Sequence, residues 1–273
     1  MHISFDYDKN KKSPQCNWPK YFKNFDGKEF DSKAPFESVY QIYAQRNYKY
    51  FTESGKRYPV PQVKPEGNLK LKRYSNLNKE NNKELSLEVL HTREWAIWTE
   101  SPKSSRQVIA AKIKFLNDPH GTLKSWDYDY ETNAILPHRF YRFDSLPKIQ
   151  RKGFIKRNTI NLFDLNGSKT VEYKTDIRNT SLYTLIERIQ TDNVKSIKSI
   201  NLLDDLTMLR SNLSILPLKE TKIQNESGNY KLNGFALAGL SALPLYFWKD
   251  QSSRVIAILG HNVAYILKSI RNI

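Results

Sequence analysis

The chain has 273 residues, enough for one large domain or two small ones with a real core. Hydrophobic residues make up 39% and aromatics 12%, which excludes the ring-poor composition of a disordered chain. Lys and Arg number 44 against 28 Asp and Glu, and the resulting +16 points to a polyanion such as nucleic acid, an anionic membrane surface or an acidic polymer.

Residues 1–33 are polar and rich in Lys and Asp, with Trp18, Tyr21, Phe22 and Phe25 scattered among them. They read as an arm lying against the body or a partner. The opening "MHISFDYD" has no apolar core and no small-residue cleavage site, so no signal peptide is visible and a cytoplasmic location is expected. The alternative is a periplasmic or envelope location if a leader was removed. Cys16 is the single cysteine, which leaves no intramolecular disulfide and no cysteine metal cluster.

A first helix is expected from Ala34-Pro35, since proline suits the first helical position. Phe36, Val39, Tyr40 and Tyr43 then fall on one helical stripe. From there to residue 144 the texture is that of strands. "NLKLKRY" (68–74), "ELSLEVL" (84–90), "EWAIWTE" (94–100), "QVIAAKIKF" (107–115), "LKSWDYDYE" (123–131) and "ILPHRFYRF" (135–143) alternate and are separated by polar turns. That pattern indicates an antiparallel sheet. Asp127, Asp129 and Glu131 share one face of their strand; three carboxylates could hold a hard cation, but the alternation with Trp126, Tyr128 and Tyr130 is that of a solvated face.

The densest basic region is 137–157, "PHRFYRFDSLPKIQRKGFIKR". Arg139, Arg142, Lys148, Arg151, Lys152, Lys156 and Arg157 face a single acid, Asp144, while Phe140, Tyr141, Phe143 and Phe154 interleave with them. Cations for phosphates, alternating with rings on which bases stack, suit single-stranded nucleic acid. The candidate nucleic-acid contacts are Arg139, Tyr141, Arg142, Lys148, Arg151, Lys152, Phe154, Lys156 and Arg157. The competing reading puts the rings toward a core and the cations toward water.

"INLFDLNGSKTVEYKTD" (160–176) carries an aspartate followed by Glu-x-Lys, the pattern with which a class of metal-dependent nucleases holds its cation. Asn166-Gly167 is a strong hairpin turn. A two-residue loop gathers Ile160, Leu162, Val171 and Tyr173 on one face, with Asp164 opposite Lys169, and leaves Glu172 and Lys174 on the other. A three-residue loop would unite Asp164 with Glu172 and Lys174 but would mix apolar with charged side chains. Half-buried sheets require the first arrangement, so a plain hairpin is expected here.

Two more helices are expected at 180–190, behind an Asn179 or Thr180 cap, and at 200–213, where Leu202, Leu206, Leu209 and Leu213 form a stripe. The apolar run 234–248 contains Pro244 and falls short of the about 20 residues of a bilayer helix, so no membrane span is expected. Residues 243–248, 254–260 and 263–270 return to strand, separated by turn signals. Among the five histidines there is no His-x-x-x-His or His-Glu pairing, and His120 and His261 read as surface residues in turns.

The sequence therefore predicts an α+β fold, mainly antiparallel β-sheet with about three helices. A single domain over 34–273 follows the arm, with a sub-boundary near 190–200. The leading functional expectation is a nucleic-acid-binding or nucleoprotein-assembly subunit with nucleic acid or another polyanion as partner, and with protein partners in a larger assembly as a further option. No catalysis and no cofactor are expected. The first alternative is a cell-envelope β-sheet protein that binds a lipid or other apolar ligand in an aromatic inner face, or that scaffolds a partner. The second is a metal-dependent nuclease built on the Asp…Glu-x-Lys pattern.

Overall fold

A computed structural model of the protein describes residues 25, 29–44, 50–53, 56–59, 65–75, 77, 83–96, 104–133, 148–164, 167–175, 177–191, 194, 196–225, 228–261 and 263–273. The N-terminal half carries β1 (Phe36–Ala44), β2 (Tyr50–Glu53), β3 (Lys56–Pro59), β4 (Pro65–Arg73), β5 (Glu84–Ala96), β6 (Ser104–Leu116) and β7 (Leu123–Asn133). Next come β8 (Ile149–Lys156), β9 (Thr159–Asp164), β10 (Lys169–Lys174), β11 (Asn179–Thr180) and the helix α1 (Leu182–Gln190). The remainder is β12 (Ile197–Asp204), β13 (Met208–Pro217), β14 (Thr221–Asn225), β15 (Gly228–Gly239), β16 (Ala242–Lys249), β17 (Val255–Leu259) and β18 (Val263–Asn272).

All strands but β2 and β3 form a 16-stranded sheet in the order β10-β9-β8-β7-β6-β5-β4-β1-β18-β17-β16-β15-β13-β12-β11, with β14 beside β15. Successive hairpins build each half, and β1 joins the halves by pairing antiparallel with β4 on one side and β18 on the other. The wall has two chemically distinct faces. One row across it reads Phe36, Arg73, Leu87, Ile113, Trp126, Gly153 and Leu162, all in register and all buried. Of the alternate positions, Lys112, Asp127 and Lys152 are exposed and Glu88 is half-buried. This half of the wall turns apolar side chains inward and charges outward, the reverse of a lipid-facing strand.

The sheet curls until its two ends approach. Tyr173 next to the β10 edge donates to the Thr207 carbonyl at 3.5 Å, and Asn201 of β12 donates to Thr175 at 2.6 Å. These contacts close the wall through side chains where no ladder joins β10 to β12, giving a barrel-like body.

The helix α1 shuts one end of it. Ser181 caps the helix: its hydroxyl accepts from the Thr184 amide at 3.1 Å while the Thr184 hydroxyl accepts from the Ser181 amide at 3.1 Å. Tyr183 to Gln190 are buried all round, so the polar members need partners. Glu187 binds both Arg73 and Arg188, each fully buried. Arg188 also reaches Asn117 at 2.6 Å, and Arg73 reaches the Ser32 and Ala34 carbonyls at 2.7 and 2.6 Å. Gln190 accepts from Tyr40 at 3.3 Å and from the Val255 amide at 3.4 Å, while Lys249 donates to the Ile189 carbonyl at 3.3 Å. These partners come from β1, β4, the β6–β7 turn, β16 and β17, so the wall surrounds the helix.

The expected α+β fold is corrected to a nearly all-β one, with a single helix among the described residues. The helix expected from residue 34 is β1. Its burial alternates, with Phe36, Ser38, Tyr40 and Ile42 buried and Glu37, Val39 and Gln41 less so. The aromatic and β-branched content that drew a helical stripe fits a pleated surface better. The helix expected over 200–213 is the β12–β13 hairpin. Positive φ at Asp205 (45°) and Leu206 (58°) reverses the chain, and Leu203 faces Leu209. The helix expected over 180–190 is present as α1, capped by Ser181 rather than Asn179 or Thr180. The segments 84–90 and 94–100 join into one strand as far as residue 96, while all of 135–143 and most of the 1–33 arm lie outside the described residues.

Candidate functional site

The described residues of the basic segment do not all share one face. Arg139, Tyr141 and Arg142 lie outside the described residues. The remainder sits on β8 and the turn after it, where strand alternation sends neighbours to opposite faces. Arg151 turns inward beside Tyr128 and binds Asp164 at 3.3 Å. Lys152 turns outward and lies 3.9 Å from Asp127, one of the three acids of β7; Gln150 donates to a second, Asp129, at 2.6 Å. Phe154 also faces outward, but its ring stacks on Phe163 at 5.5 Å. Lys148, Lys156 and Arg157 are exposed, the last in the β8–β9 turn. The expected nucleic-acid binding is not supported: among the described members Arg151 turns inward and Lys152 meets Asp127 in register.

The hairpin has the register expected of it at its base, with Asn161 opposite Glu172 and Ile160 opposite Tyr173. A bulge between Lys169 and Val171 places Lys169 opposite Phe163, so the expected Asp164–Lys169 pair is replaced by Asp164–Arg151 and by Lys169–Glu172. Asp164 stands on the face of Leu162, and Glu172 on the other. Among the described residues no three His, Cys, Asp or Glu side chains converge as a metal site would require. His261 is exposed, whereas His120 is half-buried beside Arg178 at 3.3 Å and burial holds its pKa down.

The chemistry-bearing groups that do converge are inside the wall, above α1. One row across five strands reads Tyr40, Leu69, His91, Ile109 and Tyr130. The next row toward the helix places Leu71, Val89, Ala111, Tyr128 and Arg151 side by side. From below, Tyr183 of α1 brings its hydroxyl to 3.3 Å from His91 Nδ1. From the side, the Tyr265 ring of β18 meets the His91 ring edge-on at 5.8 Å. The β12–β13 turn then delivers Asp205, whose charge acts on Tyr128, Tyr183 and Tyr265.

Asp205 has two properties that together locate it. Crowding by protein raises its carboxyl pKa to about 6, helped by neighbouring Asp204 and opposed by Tyr183 and Arg93. Its surface is nevertheless exposed. Asp205 therefore stands at the surface of the β12–β13 turn with protein packed on its inner side. Burial first, and then the Asp205 charge, push the hydroxyls of Tyr128, Tyr183 and Tyr265 well above the ordinary range. Burial, with Arg93 adding to it, lowers His91 to about 4. A base this weak and phenols this reluctant to ionise are mismatched to proton transfer near neutral pH. The layer is built to hold polar atoms in place.

Sequence reading missed this layer for two separate reasons. His91 shares the parity of Leu85, Leu87 and Val89 in "ELSLEVLHTREWA", so its inward position was legible had the strand been followed past residue 90. Asp205 depends on a hairpin that the leucine spacing concealed.

Comparisons with known proteins agree with the architecture. The chain is similar in structure to a β-barrel-like protein of domain of unknown function DUF1849 from Brucella abortus. The two superpose with a TM-score of 0.53 at 9% sequence identity, covering 88% of this chain and 98% of the other. No protein-family model and no curated protein matches the sequence. No helix among the described residues is long and apolar enough to cross a membrane. The likeness shows a shared fold alone, a curled and nearly all-β wall.

Proposed function

We propose that the protein is a β-sheet binding protein that takes a ligand with an apolar body into the interior above α1. The carrying observation is the convergence of His91, Tyr183 and Tyr265 inside a barrel-like wall, with Asp205 exposed on the turn beside them. Ligand pockets of this kind are mostly aromatic and aliphatic, with a few fixed polar groups that orient the guest. Here Leu69 and Ile109 flank His91 and Ile258 lies opposite Tyr265, a close-packed apolar layer that would part for the guest, while His91 and the Tyr183 hydroxyl supply polar points. The barrel-like fold suits such a role, and the division of the basic segment between two faces removes the main support for a polyanion groove.

The test is titration of the purified chain with diphenylhexatriene, an uncharged fluorophore that brightens when it leaves water, together with native mass spectrometry of the protein as isolated. Saturable brightening, or a small molecule retained in the mass spectrum and extractable into organic solvent, is the expected result. A linear, non-saturating fluorescence response and a bare-chain mass would overturn the proposal.

A further inference from the structure

The geometry points to a second site, on the outer face of the wall and independent of the interior, that takes an oligosaccharide carrying one carboxylate. A trough of about 410 Å³ lies there, across β5 to β8. Its rows follow from the strand registers. Ser86, Lys114, Ser125 and Phe154 stand side by side on β5, β6, β7 and β8, and Tyr74, the residue after β4, closes the row at its other end. The order is therefore ring, hydroxyl, cation, hydroxyl, ring. With strands about 4.8 Å apart, four strand steps separate the rings by roughly 19 Å. The small serines let the surface sink between them. The next row, Glu88, Lys112, Asp127 and Lys152, alternates in charge.

Both rings are exposed, and both are held in place. Tyr74 donates to Glu88 at 2.6 Å with the Lys72 ammonium 4.6 Å from its ring centre, and Phe154 stacks on Phe163. Rings fixed in this way cost little ordering when a guest lies on them. In the charged row Lys112 lies 3.9 Å from Glu88 and Lys152 3.9 Å from Asp127, beyond hydrogen-bond range, so all four keep capacity for a guest. Lys114 has no ion-pair partner among the described residues, and the three lysines of the trough exceed its two acids by one charge. An apolar chain would strip water from these charges and return nothing. An acidic peptide would set its carboxylates against Glu88 and Asp127. A sugar lays its C–H face on a ring, while its hydroxyls donate to the carboxylates and accept from the ammoniums. One carboxylate on that chain meets Lys114 between the two serine hydroxyls and matches the single excess charge.

The experiment titrates the chain by calorimetry with xylotetraose bearing one glucuronate, with bare xylotetraose and with tetraglutamate. The salt is about 0.15 M, where exposed charges attract only over about 8 Å. The acidic sugar should bind saturably and about fivefold more tightly than the neutral one, the scale of one exposed charge pair. Tetraglutamate, which the +16 of the chain attracts without regard to site, should bind more weakly than the acidic sugar. Lys114→Gln should abolish the difference between the two sugars, and Tyr74→Ala or Phe154→Ala should weaken both about fivefold. Lys124→Gln removes an exposed cation that pairs with Glu84 outside the trough, and should change neither. All four side chains are exposed, so the variants should keep the wild-type circular dichroism. No binding of either sugar, equal affinity for the two, tetraglutamate binding as tightly as the acidic sugar, or equal losses in Lys114→Gln and Lys124→Gln would overturn the inference.

Discussion

At the scale of single residues, His91 and Asp205 titrate in opposite senses across the same pH range. The folded pKa of His91 lies near 4, below its ordinary 6.5, so the folded state binds protons less readily than the unfolded one. Its contribution is unpenalised above pH 6.5 and is lost as pH falls toward 4. The folded pKa of Asp205 lies near 6, above its ordinary 3.8, so its desolvation cost is present above pH 6 and fades as pH falls to 4. The two effects offset each other in the wild type. His91→Phe should therefore make stability rise, relative to wild type, as pH falls from 6.5 to 4, by on the order of 3 kcal/mol at most. Urea midpoints of both proteins at pH 7.5, 5.5 and 4.5 measure this directly; a constant difference would show that His91 is not held neutral. The basic segment carries another lesson at this scale. Arg151 and Lys152 are adjacent in sequence and count as two cations of one patch, yet strand parity gives one to Asp164 inside and the other to Asp127 outside.

Among the elements, periodicity served where burial was one-sided and failed where it was not. In 159–174 one face is apolar and the other polar, so a one-residue slip would exchange them, and the register was readable. In 200–213 the leucines are buried on both sides of a hairpin: Leu202, Leu203, Leu206 and Leu213 all lie in the core. A doubly buried strand pair has no alternation to betray it, and a helical stripe fits the same residues. The signal that decides is backbone conformation at Asp205 and Leu206, which composition does not carry. The helix α1 was legible from its stripe, although its cap is Ser181 and not Asn179 or Thr180. Its charges were not, since their partners come from β4 and the β6–β7 turn. Glu187 lies between two buried guanidiniums, so Glu187→Gln should cost about 3–5 kcal/mol by leaving both without counter-charge. Chemical denaturation would register this as a lower midpoint at unchanged slope. A loss within 0.5 kcal/mol, the scale of surface changes, would mean that the triad contributes nothing to holding α1 in the wall.

For the whole molecule, the sequence conveyed the antiparallel wall but not its curl. An open sheet and a closed one share the same local alternation, and closure depends on contacts between segments far apart in the chain. Here closure rests on a narrow seam. Asn201 donates to Thr175 at 2.6 Å and to Asn179 at 3.2 Å, accepts from the Asn212 amide at 3.1 Å, and its own amide donates to the Arg178 carbonyl at 2.9 Å. One buried side chain thus ties the β12–β13 hairpin to the strand that follows β10. Because that hairpin carries Asp205, the seam also fixes the interior site. Asn201→Ala removes three side-chain hydrogen bonds and leaves the Asn212 amide without its acceptor, at a cost of about 1–3 kcal/mol. The effect should be local. Hydrogen exchange should quicken across 169–180 and 201–212, while β4 to β7, flanked by paired strands on both sides, keep their protection. The affinity for diphenylhexatriene should fall with it, since the wall opens beside the guest. Uniformly faster exchange over the whole sheet would show instead that the seam and the wall unfold as one unit, and that closure is a property of the full ladder rather than of this contact.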